Sequence, residues 1–362
     1  MVRTTDEPTC RGSASLANDG PTSQTAICTS ETTSSSDSID CLSAIRRSLQ
    51  TRGFSSQTIN IILQSWRSST KRQYDCYIKK WLEYCAGKHI DPFQPTLNEA
   101  ADFLVHLHSV DKLGYSAVNT ARCALSCLLP CYDGVSFGKN EVIKRLLNGF
   151  YNIRPPRPKY SHTWDVSIVL KYLITLHPLE SLNLKMLTHK LAMLLMLVTG
   201  QRCQTIVNLD LNCLSEGSEL VFTFDSPLKH SRPGKSAQAV VLKPYSSNVK
   251  LCVVTILRDY ISRTAPLRGE ESRLLISFVK PHKRITTDTL SRWLKFIMQL
   301  SGVDISVFHA HSCRSASTSK AQRADVPIDI ILQAAGWTNV STFRNYYNKP
   351  VVSGFADNVL QL

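Results

Sequence analysis

The residues best suited to chemistry lie in the second half of the chain. Arg202 follows a long apolar stretch in TGQRCQTIVNLDL, where Thr199-Gly200 breaks a helix and exposes the arginine at a turn. Lys229 sits in a Lys-His-Ser-Arg-Pro-Gly turn between two strand-like segments. Residues 310–322 read AHSCRSASTSKAQ and set His311 and Arg314 three positions apart, one helical turn. Then come AAGW, ending in Trp337, and two adjacent tyrosines, Tyr346 and Tyr347. The ordered set is Arg, Lys, His, Arg, Trp, Tyr. It suits phosphoryl transfer to a tyrosine. A phosphodiester under attack gains charge on its non-bridging oxygens, and two arginines can clamp it with permanently charged forks. A phenol of pKa ~10 needs nearby cations and a base to lose its proton. A lysine can protonate the departing oxygen. Such a site implies neither metal nor cofactor, since the arginines supply charge that magnesium supplies elsewhere. His309 and His311 form an HxH pair, but no carboxylate or cysteine lies nearby in sequence to complete a metal site.

The elements that must position these residues fall into two regions. Residues 1–41 hold a Ser/Thr-rich, nearly apolar-free tail, which cannot bury enough surface to fold and is expected to be disordered. Residues 42–153 read as a bundle of helices with no convincing strand. SSQTINIILQSW opens on a cap-like serine. SSTKRQYDCYIKKWLEYCAGK puts Tyr74, Tyr77, Trp81 and Tyr84 on one face and ends near Gly87. Thr96 and Glu99 have capping-box spacing in TLNEAADFLVHLHS. SAVNTARCALSCLLPCY and KNEVIKRLLNGFY complete the set. RPPRPKY at 154–160 reads as a stiff basic linker. Residues 161–350 mix helices with strands at ELVFTFD, SAQAVVLKPY and LLISFV, and 351–362 form a short tail. The fold class expected is mainly α with a small antiparallel β-sheet.

The chain of 362 residues carries 42 basic and 28 acidic side chains, net +14, and residues 1–40 are themselves acidic, so the rest is more basic still. A body that basic favours a polyanion, and nucleic acid is the commonest. No apolar run reaches the ~18 residues of a membrane span, and the N-terminal residues lack the apolar core of a secretion signal. Twelve cysteines are scattered without a CxxC pair. Cys123, Cys127 and Cys131 recur at i, i+4, i+8 as if on one helix face, and the reading preferred over a zinc site is buried free thiols in a reducing compartment. No GxxxxGK[ST] motif appears, so no ATP is implied.

TGQR, AHSCRSA and AAGWTNV followed by tyrosine together resemble the tyrosine recombinase (phage integrase) family, including the recombinases of DIRS-like and Crypton mobile elements. SRPGK, AHSxRxASTS and STFxxxYNKP carry the likeness to those eukaryotic elements. The resemblance covers about residues 45–350. It implies a SAM-like helical core-binding domain and a catalytic domain that break and rejoin DNA through a 3′-phosphotyrosine, with double-stranded DNA and a homo-tetramer on paired sites as partners. It implies that Arg202 and Arg314 grip the scissile phosphate, that Lys229 is the general acid, that His311 assists proton transfer and that the Trp337 indole N–H bonds the phosphate. One family spacing, nine residues after the Gly-Trp position, selects Tyr346; the mobile-element ending before Asn-Lys-Pro selects Tyr347. Both are kept as nucleophile candidates. Where many members carry glutamate, three residues after the first arginine, this chain has Thr205. The alternatives are a domesticated DNA-binding relic that no longer cuts, and a type IB topoisomerase. A DNA substrate and reducing chemistry imply a nuclear location.

Overall fold

The computed structural model describes residues 41–157, 160–225, 231 and 239–351. The expected disordered tail up to residue 40, Lys229 with most of its turn, and residues 352–362 lie outside the described residues. The chain divides into two compact units between Arg157 and Pro158.

The first unit is built from six helices: α1 (Cys41–Thr51), α2 (Ser56–Gln64), α3 (Ser68–Lys88), α4 (Leu97–Ser109), α5 (Tyr115–Leu128) and α6 (Glu141–Ile153). Cys41, assigned to the tail from sequence, is a buried first residue of α1. The starts of α2 and α4 follow local chemistry. Ser55 Oγ accepts the Thr58 amide, and Thr96 and Glu99 form the full reciprocal capping box. In α3 Arg67 occupies the N-cap without a side-chain capping bond, and the helix runs through Gly87 to end at His89, which takes a left-handed φ of 55°. The face with Trp81 turns inward. Trp81 is fully buried, lies 5.1 Å from the Phe103 ring and donates its indole N–H to the Pro92 carbonyl. Truncating such a ring to alanine costs about 3–5 kcal/mol.

Two sequence expectations fail here. A hairpin, β1 (Cys131–Tyr132) with β2 (Val135–Ser136), interrupts the helices. Asp133 and Gly134 both have positive φ, 49° and 75°, as a tight hairpin turn requires. Cys131 therefore does not continue the α5 face of Cys123 and Cys127. It is exposed on β1, because Leu129, before Pro130, is extended and ends the helix.

The second unit contains α7 (Val166–Thr175), α8 (Leu184–Thr199), α9 (Cys203–Val207), β3 (Leu214–Glu216), β4 (Leu220–Phe222), β5 (Val240–Leu242), α10 (Val253–Thr264), α11 (Thr287–Leu300), α12 (Ser312–Arg323), α13 (Ile328–Ala335) and α14 (Val340–Tyr346). Strands β3, β4 and β5 form one antiparallel sheet in that order. The expected strand over Leu274–Val279 is absent. Only isolated antiparallel bridges form there, Asp210 with Arg273 and Ile276 with Arg284. Leu274, Leu275 and Ile276 are all buried, so the apolar run marks core rather than a ladder. Helix α8 is the centre of the unit. It is mostly apolar, buried almost throughout, and packed by α10, α11 and α12. Gly200 ends it at a φ of 58° and its amide closes on Met196, so the chain turns sharply into Arg202. Among the described residues no helix is long and apolar enough to cross a membrane.

Candidate active site

Arg314 anchors the site. It lies in the first turn of α12 and is fully buried. Its Nη1 donates to the Gly200 carbonyl at 2.9 Å and its Nη2 to the Ala335 carbonyl at 2.7 Å. These carbonyls stand at the C-terminal ends of α8 and α13, where orphan acceptors and the negative pole of the helix dipole favour a cation. Gly336 makes the second end possible, closing α13 at a φ of 66°. Gln201 ties the same two helix ends together, donating Nε2 to the Ala334 carbonyl at 2.6 Å.

Over the guanidinium lie two rings. Arg314 Cζ is 4.2 Å from the Trp337 ring centroid and 5.3 Å from that of Tyr347. The two rings are 4.5 Å apart. The Tyr347 hydroxyl lies 3.1 Å from His311 Nε2. Thus four sequence candidates, His311, Arg314, Trp337 and Tyr347, meet in one cluster, although 36 residues separate its ends. Tyr346, the other tyrosine candidate, is 70 % exposed. It closes α14, whereas Tyr347 caps that helix and is half-buried. Adjacent helical side chains point ~100° apart, so only one can enter the cluster.

Arg202 is half-buried at the start of α9. Its charge reaches Arg314: burial and the neighbouring Arg202 push the Arg314 pKa below its usual value, and Tyr347 opposes them. Lys229 lies outside the described residues. Thr205 is buried in α9, where the resemblance expects a glutamate. His309 is the other half of the HxH pair. Its ring stands edge-on to Tyr160, 6.5 Å away.

Among the described residues, two buried donors in the cluster have no partner: Arg314 Nε and Trp337 Nε1. An unsatisfied buried donor costs about 1–3 kcal/mol. One such donor on a desolvated cation and one on the ring stacked with it, with a second arginine near, fit an anion with several acceptor oxygens. Sequence reasoning missed three polar side chains that support this arrangement: Gln201, Ser315 and Ser319. Serines abound in AHSCRSASTSK, and composition does not show which of them face the tyrosine.

Comparison with known proteins agrees with the geometry. Residues 175–351 match the phage integrase family. The fold is similar to that of XerH site-specific recombinase bound to palindromic difH substrate, at 16 % identity and a TM-score of 0.55, covering 84 % of this chain and 91 % of that one. It is also similar to that of the Tn1549 transposon integrase in complex with transposon right end DNA, at 11 % identity and a TM-score of 0.50, covering 88 % and 97 %. A search of the curated proteins finds no match. The cluster of histidine, arginine, tryptophan and tyrosine thus stands within a stretch whose sequence and fold agree, and residues 175–351 are a phage integrase family domain on a tyrosine recombinase fold.

Proposed function

We propose that this protein breaks and rejoins double-stranded DNA by transferring a backbone phosphate to Tyr347. One observation carries the reading. The Tyr347 hydroxyl is in contact with His311 Nε2 beside a buried arginine and an indole, and among the described residues the arginine Nε–H and the indole N–H have no acceptor.

In the step proposed, Tyr347 Oη attacks phosphorus and a new O–P bond forms. The phenol proton passes to His311 Nε2, the P–O5′ bond breaks, and the 5′-oxygen takes a proton from Lys229, the role that the family resemblance implies. Arg314 Nε, the Trp337 indole and Arg202 receive the charge on the non-bridging oxygens. The DNA keeps the bond energy as a 3′-phosphotyrosine, and a 5′-hydroxyl of a partner strand reverses the attack. No co-reactant enters or leaves. Exchange between two duplexes calls for copies of the chain assembled on paired sites, as a tetramer. XerH bound to its palindromic difH substrate and the Tn1549 integrase in complex with transposon right end DNA support the substrate class, and the second of them supports an origin in a mobile element.

The test is covalent trapping. Purified protein is offered nicked duplexes drawn from the DNA flanking its own coding sequence, and adducts are resolved on a denaturing gel. Tyr347→Phe is expected to abolish the adduct and Tyr346→Phe to keep it. An adduct that survives Tyr347→Phe refutes the assignment. Tight site-specific binding without any adduct refutes the enzyme, and supercoil relaxation without strand exchange indicates a topoisomerase.

A further inference from the structure

The Tyr347 main chain is held as firmly as its ring. Its carbonyl accepts two side-chain hydrogen bonds, from Ser315 Oγ at 2.8 Å and from Ser319 Oγ at 2.7 Å. The Ser319 hydroxyl also accepts the Lys349 amide at 2.9 Å. Further along, Arg323 donates to the Lys349 carbonyl at 3.2 Å. Ser315 and Ser319 are both buried. A carbonyl at the end of a short helix needs a single donor or a water. This one has two donors from a single neighbouring helix.

That helix is α12, and the spacing matters. His311 at its N-cap, Ser315 and Ser319 recur every four residues, so they share one side of the helix. The first meets the Tyr347 hydroxyl and the other two meet its carbonyl. Resting on the function proposed above, we infer that Ser315 and Ser319 are positioning residues. They form a latch that fixes Tyr347, rather than Tyr346, against the His311 and Arg314 of its own chain. The latch grips the main chain at the Tyr347 carbonyl and the Lys349 amide, so it sets the register of the segment. A slip of one residue would place Tyr346 at the serines and turn Tyr347 away.

Two readouts test the latch. The first needs no DNA. Amide hydrogen exchange is measured on full-length protein and on Ser319→Ala. The Lys349 amide, freed from its acceptor, is expected to exchange about 10-fold faster, with the amides of α8 unchanged as the sign of an intact fold. Equal exchange at Lys349 overturns the proposal. The second readout is the single-turnover rate of adduct formation on the nicked duplex. Ser315→Ala/Ser319→Ala is expected to slow cleavage by about 10- to 100-fold, because misplacing a reacting atom by an ångström has that effect. DNA affinity should not change, and Ser315→Thr, which keeps a hydroxyl, should remain within about 3-fold of wild type. A double variant that cleaves at the wild-type rate, or one that loses DNA affinity and cleavage together, also overturns it. Failure of the wild type to form any adduct counts against the function, and the exchange measurement then still decides the latch.

Discussion

His189 lies in α8 with 2 % of its surface exposed, and among the described residues neither ring nitrogen has a hydrogen-bond partner. It is boxed by Phe296 at 5.0 Å, Phe278 at 5.4 Å and Trp293 at 5.5 Å between ring centroids. Burial, helped by the nearby Lys185, lowers its pKa from 6.5 to about 4. Between those two values the unfolded chain binds a proton that the folded chain refuses. Stability therefore rises with pH through this window and is lost as pH falls from 6.5 towards 4. The full loss is about 3 kcal/mol, of which roughly 2 kcal/mol has gone by pH 5. His189→Leu removes both the proton site and two stranded polar atoms, worth about 1–3 kcal/mol each, and gives up ring contacts worth about 1 kcal/mol apiece. The variant is expected to be about 1 kcal/mol more stable at pH 7, and its advantage should widen by about 2 kcal/mol at pH 5. Urea unfolding followed by tryptophan fluorescence at pH 7, 6 and 5 measures both numbers. Parallel stability curves for the two proteins would refute the reasoning, because they would mean that the buried ring charges as readily as a free one. The outcome bears on the site as well, since α8 carries the Gly200 carbonyl that anchors Arg314.

Further outcomes are expected from single changes. Trp337→Phe keeps a ring over Arg314 but removes the unpartnered indole N–H, so single-turnover cleavage should fall by about 10-fold or more with DNA affinity nearly unchanged. Gly200→Ala forces a side chain into a left-handed φ of 58° and brings its Cβ to 3.2 Å from Thr318 Cγ2. It should cost about 1–2 kcal/mol in urea unfolding and slow cleavage, because the acceptor for Arg314 moves. Thr96→Ala removes the capping box of α4 and should destabilise the first unit by about 1 kcal/mol, read from amide exchange in Leu97–Ser109, while exchange around Arg314 stays as it was.

Much of the framework was legible in the sequence because its causes are local. The serine before α2, the Thr96–Glu99 pair and the stops at Gly200 and Gly336 all bond within a few residues of themselves. The mostly apolar run of α8 announces burial without any knowledge of its neighbours. The errors arose where the deciding neighbour is distant or the signal is very short. Cys131 looked helical by spacing, but Pro130 and the Asp133-Gly134 turn took it into a hairpin. Leu274–Ile276 looked like a strand, but tertiary packing buries it with only bridging hydrogen bonds.

The sequence by itself determined which residue types are present, their order along the chain, the helix ends that flank them and the basic charge that suits a polyanion. It also carried the family resemblance over about residues 45–350, because the motif types and their order are properties of the chain alone. It kept both Tyr346 and Tyr347 as candidates, leaning to Tyr347, since both are tyrosines and each satisfies a spacing. The tertiary structure separates them, setting one half-buried ring beside Trp337, Arg314 and His311 and leaving the other 70 % exposed. The same holds for the buried state of Arg314, its two carbonyl anchors and the serine latch. Each depends on helix ends that meet across 20 to more than 100 residues of chain, and packing in three dimensions brings those ends together.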